Sequence, residues 1–245
     1  IGADRDEPPR VELAERGSGT LYLANRWTAL AGFRQYCRDR SSVDERTAVI
    51  VDLDKTALGA RGRNDRVIDR ARVEAVRHTV DDLLGDDFDP DAFQTAYDLL
   101  NRLEFHPFTA DNQDYLAYIC LILGGGLYGL DSLVADVRSG QMTSFRQFIE
   151  VVDSDVGALP ANLREIHGRI YDRVRQGDPT PFKAFRRTEY RATVERMGRF
   201  GDQAEVASLL AEEIVITEEV RRAALSWRDQ GALLFGLSDK PDEAS

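Results

Sequence analysis

Thr47-Ala48-Val49-Ile50-Val51-Asp52-Leu53-Asp54-Lys55-Thr56 is the stretch on which the reading of this chain turns. Its short β-branched run predicts a buried strand rather than a helix, because Val and Ile are stiff at χ1 and suit a pleated surface. The run ends in acids with a polar residue beyond. That puts Asp52 and Asp54 at the carboxyl edge of a sheet, where open α/β folds bind their ligands. In continued strand geometry residues two apart share a face, so the two carboxylates are expected side by side. Their repulsion is relieved by a divalent cation or a shared proton.

A second stretch mirrors the first. Thr217 is placed to cap a helix whose first turn carries Glu218 and Glu219, and Val220, Ala223, Ala224 and Trp227 recur with helical spacing until Gly231. Ala232-Leu233-Leu234-Phe235-Gly236-Leu237 then reads as another buried strand, running into Ser238-Asp239-Lys240-Pro241.

Together these stretches resemble the first two motifs of the haloacid dehalogenase superfamily: a DxDxT after one strand, and a Ser at the end of a later strand preceded by a helix. The Ser238-Asp239-Lys240-Pro241 ending is similar to that of phosphatases of the phosphoglycolate phosphatase type. The resemblance implies an α/β fold, a Rossmann-like core with an incomplete parallel sheet and a large all-helical inserted cap. It also implies a magnesium-dependent phosphomonoester hydrolase acting on a small phosphorylated metabolite. Asp52 would be the nucleophile that forms an aspartyl phosphate. Asp54 would serve as general acid and then base, its backbone carbonyl joining Asp52 around Mg2+. Thr56 would hold Asp54 or the loop, while Ser238 and Asp239 would bind the phosphate.

An acid at position 54 disfavours carbon–halogen cleavage, which needs only the nucleophile. Asp54-Lys55-Thr56 also resembles the phosphorylated motif of P-type cation pumps, but Ala57-Leu58 follows where those have Gly-Thr. The family's third-motif cation and fourth-motif acids are expected beyond Ser238, and the sequence given ends at Ser245. Those groups are therefore expected from further chain or from a partner. The alternative is a non-catalytic module of the same fold whose helical insertion binds a protein.

With 245 residues the chain can bury a sizeable core. A net charge of -11 and a pI near 4.9 disfavour nonspecific binding to nucleic acid or anionic membrane. Cys37 and Cys120 lack metal spacing, which is the usage of a reduced cytoplasmic protein, and His78, His106 and His167 form no ligand pattern.

In chain order, residues 1–20 are expected as a mobile tail, 21–58 as the first part of the core, 59–212 as the helical cap and 213–245 as the second part of the core. Asn25 to Arg38 reads as a helix. The loop after Thr56 carries Arg61 and Arg63, placed either in solvent or against a substrate anion. Asp89-Pro90 opens a helix, and Leu163, Ile166, Ile170 and Val174 mark another. Tyr115 to Leu130 is the most apolar segment, shorter than the roughly 20 residues of a membrane span, and Gly124-Gly125-Gly126 ends it. Asp153-Ser154-Asp155 is expected as a turn.

Overall fold

The structure is a computed structural model that describes residues 7–201 and 203–238. It is mixed α/β and divides into two compact units, one of Ile1–Arg72 with Thr193–Asp239 and one that includes Val73–Ala192. The divisions fall inside two helices, α2 (Asp65–Leu84) and α9 (Lys183–Val194).

The first unit opens with a hairpin of β1 (Val11–Arg16) and β2 (Gly19–Ala24), antiparallel and in register from Val11↔Ala24 to Arg16↔Gly19. This corrects the expected mobile tail over the described residues 7–20. Gly17, at φ 59, supplies the left-handed residue that the tight reversal requires. Tyr22 packs its ring 5.3 Å from Phe33 and 5.6 Å from Tyr36 on α1 (Leu30–Arg38), so the hairpin is tied down by aromatic contact.

The expected strands are β3 (Ala48–Asp52) and β4 (Leu233–Leu237), which pair in parallel with Ala48 opposite Leu233 and Asp52 opposite Leu237. Leu233 donates its N–H to the Thr47 carbonyl and Leu53 donates to Leu237, so the ladder continues one step past each end. Val49 and Val51 face α1 and α11 (Glu218–Arg228), joining two apolar clusters around Trp27 and Val220, and around Ala223 and Trp227. Trp227 meets Phe33 edge-on at 5.9 Å.

The two strands are not buried as expected. Ile50 is 62% exposed, Phe235 50% and Leu237 57%. The physical reason is coverage: α1 and α11 pack on the Val49 and Val51 side, and the described residues place no helix over Ile50. Parallel sheets are ordinarily covered on both faces, so this open face departs from the rule.

The second unit is helical. Its segments are the later part of α2, α3 (Pro90–Leu100), α4 (His106–Thr109), α5 (Gln113–Gly124), α6 (Leu130–Ser139), α7 (Phe145–Ser154), α8 (Ala161–Arg175) and most of α9. Asp89 caps α3 as predicted, accepting the N–H groups of Asp91 and Ala92 at 3.0 and 2.9 Å. Leu116 to Ile122 on α5 are all buried, and the chain leaves that helix through Gly126 at φ 74. Among the described residues no helix is long and apolar enough to cross a membrane.

Several buried polar groups of this unit meet one another. Tyr118 shares a hydrogen bond with His167 Nδ1 at 2.6 Å, and His167 Nε2 lies 3.1 Å from Asp153 Oδ1. His167 is thus a satisfied core histidine. Asp153 and Ser154 close α7, with Asp155 as its C-cap, where a free-standing turn was predicted. Fully buried Asp114 receives the Phe182 N–H at 2.9 Å and lies 2.5 Å from the Arg186 guanidinium, which also reaches buried Glu189 at 2.8 Å. Burial pushes the Asp114 carboxyl up to about 6, outweighing the Arg186 charge beside it.

A candidate phosphate site at the ends of two parallel strands

Within the first unit, α10 (Val206–Glu212) and the segment that follows it lead into α11, which delivers β4 beside β3. Two sequence-predicted groups thereby meet across the strand ends. Ser238 donates its hydroxyl to Asp54 Oδ2 at 2.8 Å. One strand over, Thr56 Oγ1 donates to Asp52 Oδ2 at 2.6 Å. Each acid is therefore held by a hydroxyl that limits its rotation. Asp52 is exposed to solvent and Asp54 is half-buried.

The route to this arrangement differs from the one expected. The strand does not continue to Asp54; it stops at Asp52 and folds into a tight turn. Ala57 N–H donates to the Asp52 carbonyl at 3.2 Å, and Leu58 N–H to Leu53 at 2.9 Å. Lys55, inside the turn, takes the left-handed conformation at φ 58. The expectation that Asp52 and Asp54 share a face by strand alternation is replaced by placement through a turn. Thr56, expected to hold Asp54 or the loop, holds Asp52. Asp239 lies outside the described residues.

Thr217, expected only as a helix cap, and Asn64, not singled out in the sequence, build the floor of this turn. Thr217 Oγ1 donates to the Thr56 carbonyl at 2.5 Å and Thr217 N–H donates to Ala57 at 2.8 Å. Its side chain makes no cap to α11, so the predicted capping role is replaced by an anchor of the turn after β3. Asn64, only 1% exposed, donates through Nδ2 to the carbonyls of Leu210 and Glu213 at 2.7 and 3.0 Å, and its Oδ1 accepts from Val215 N–H at 3.2 Å. A single amide so bonded satisfies three backbone groups of the segment leading to Thr217. No local spacing announces such a residue. A buried Asn in a glycine-punctuated loop is the only available hint.

Charged neighbours are engaged in the same unit. Lys55 Nζ sits 2.6 Å from Asp69 on α2. Arg63 holds Glu219 by two hydrogen bonds of 3.1 and 2.9 Å, which answers the open placement of that arginine in favour of a fork-shaped ion pair. The Arg61 carbonyl accepts the Trp27 indole N–H at 3.1 Å.

Beside β3 runs a groove of about 720 Å3, walled by Leu30, Phe33, Cys37 and Trp227, with Asp52 and Thr56 among the residues that line it. Its size lies in the range of ligand sites, and its walls are chiefly apolar.

As a metal site the donor set is spare. Among the described residues no three His, Cys, Asp or Glu side chains are placed to hold an ion together. An ion held by so few protein groups would keep several waters and take one or two carboxylates along with phosphate oxygens, as magnesium does. The Asp52 carboxylate and the Asp54 backbone carbonyl are the groups that would hold it. Compared with models of protein families, with curated proteins and with solved structures, the chain matches none of them.

Proposed function

We propose that the chain carries a magnesium-dependent phosphomonoester hydrolase centre of the haloacid dehalogenase type, acting on a small phosphorylated metabolite. The observation that supports this reading is the meeting of Asp52, Asp54, Thr56 and Ser238 at the carboxyl ends of two adjacent parallel strands. Ligands of open α/β folds bind at that edge.

In this reading the Asp52 carboxylate attacks phosphorus in line. The bond from phosphorus to the ester oxygen breaks as the bond to Asp52 forms, giving an aspartyl phosphate. Protonated Asp54 gives its proton to the departing alkoxide. As a carboxylate it then takes a proton from the water that attacks phosphorus, releasing Asp52 and inorganic phosphate. Thr56 keeps the Asp52 carboxylate from rotating out of line, and Ser238 does the same for Asp54. Magnesium, when bound, supplies positive charge at the phosphoryl oxygens.

Hydrolysis of p-nitrophenyl phosphate with Mg2+ tests the reading. The expected result is turnover that Asp52→Asn reduces at least 10³-fold and Asp54→Asn at least 10²-fold, the usual scale for a lost nucleophile and a lost general acid–base. Turnover equal in Asp52→Asn and the parent chain would contradict it.

A further inference from the structure

We infer that the Lys55–Asp69 ion pair is the latch that sets the Asp52–Thr56 turn, and that Lys55 is a positioning residue, not a ligand for the substrate phosphate. This rests on the hydrolase reading above for its kinetic consequence only. The structural consequence stands on the turn itself.

A lysine at φ 58 is an uncommon choice, since a side chain beyond glycine or asparagine crowds the carbonyl in the left-handed region. Such a residue persists where its surroundings over-determine it. Here they do. Its ammonium is 2.6 Å from Asp69, on the first turns of α2, and its side chain is only 22% exposed. Its carbonyl accepts the Arg61 N–H at 3.0 Å. The residue is thus gripped at both ends.

The turn it controls carries the site. On one side of Lys55 stands Asp54, fixed by Ser238; on the other stands Thr56, fixed to Asp52 through its hydroxyl and to Thr217 through its carbonyl. Rotating φ of Lys55 back to the ordinary region would swing Asp54 and Thr56 relative to each other, because both are joined to it by planar peptide units. One side chain therefore governs whether the acid–base and the hydroxyl that aligns the nucleophile stand together. A lysine next to two acids invites assignment to phosphate binding, but its ammonium is turned onto α2 and its close anion is Asp69.

Amide hydrogen exchange of the full chain without ligand tests the latch directly. Lys55→Ala and Asp69→Asn are each expected to speed exchange at Thr56, Ala57 and Leu58 at least tenfold, with the melting temperature held within about 2 °C. Lys55→Arg, which keeps the charge and reach, is expected to stay within threefold of the parent. Lys55→Gly is expected to exchange more slowly than Lys55→Ala, because glycine accepts the left-handed region without the latch. With p-nitrophenyl phosphate, Lys55→Ala lowers kcat at least tenfold while KM stays within twofold, and Lys55→Arg restores it.

Unchanged exchange in both Lys55→Ala and Asp69→Asn overturns the latch, as does a Lys55→Gly chain that exchanges no more slowly than Lys55→Ala. A tenfold rise in KM with kcat unchanged overturns the positioning role by making Lys55 a substrate ligand. If the parent chain shows no Asp52-dependent turnover, the hydrolase reading fails on its own, and the exchange rates still decide the latch.

Discussion

Ser238 donates a hydrogen bond of 2.8 Å to Asp54 although 184 residues of chain separate them. The contact is made possible by the parallel register that sets Leu237 beside Asp52. It joins the end of the first core segment to the end of the second, so a substitution on either side reports on the other.

Ser238→Ala removes the hydroxyl and leaves Asp54 to turn. Loss of one oriented donor at a phosphoryl or acyl centre typically costs about 10²-fold in rate. A drop of that order in kcat/KM for p-nitrophenyl phosphate is expected, with the far-ultraviolet circular dichroism unchanged, since Ser238 is exposed.

Thr56 holds Asp52 through its hydroxyl alone, so the test separates hydroxyl from methyl. Thr56→Ser is expected to retain turnover within threefold. Thr56→Val, nearly the same in shape, is expected to lose about tenfold in kcat, the worth of roughly one hydrogen bond to a charged group. Steady-state kinetics of the two variants side by side checks this.

Asn64 is a stability prediction for the first unit. Asn64→Ala strands the buried Glu213 carbonyl, the part-buried Leu210 carbonyl and the Val215 N–H, and an unsatisfied buried group costs about 1–3 kcal/mol. Urea unfolding is expected to show a loss of about 3 kcal/mol with the m-value unchanged.

Asp114 sets a pH dependence in the helical unit. Its carboxyl is raised to about 6 by burial, so the folded state holds a proton that the unfolded chain, near 3.9, does not. That contribution is fully present below about pH 4 and is lost as pH rises through about 6. The size is on the order of 3 kcal/mol, from about two units at 1.36 kcal/mol each. Arg186 keeps Glu189 as partner when Asp114 is protonated, so no bare cation is left behind. Thermal melts at pH 5 and pH 7 are expected to place the parent chain higher at pH 5, and Asp114→Asn is expected to remove that difference.

What the sequence disclosed, and what it hid, follows from the range of each interaction. The β-branched run at Val49-Ile50-Val51 and the spacing of Val220, Ala223, Ala224 and Trp227 are local patterns, and both elements stand where they were expected. Asp89-Pro90 likewise starts a helix because cap and ring act within one turn. The hairpin was hidden because residues 1–20 read as a mobile tail, and the aromatic packing of Tyr22 against Phe33 and Tyr36 is made with residues further along the chain. Exposure of Ile50 and Phe235 was hidden too, since an apolar run says that a strand prefers cover and not which helices supply it. At the site, the acids and hydroxyls were legible as residue types at fixed spacing. Their pairing was not: that Thr56 serves Asp52 depends on a turn that left-handed Lys55 makes. Asn64 and Thr217 bind across about 150 residues of sequence, a distance that no periodicity spans.

The claim that everything else leans on is a phosphoryl pocket built on Asp52. Isothermal titration of the chain with Mg2+ and beryllium fluoride, a mimic of the phosphorylated carboxylate, measures it without needing the natural substrate. The account predicts saturable uptake near one equivalent that disappears in Asp52→Asn and weakens in Ser238→Ala. No uptake by the parent chain, or the same uptake by Asp52→Asn, would contradict it and leave the reading of a non-catalytic module that binds a protein.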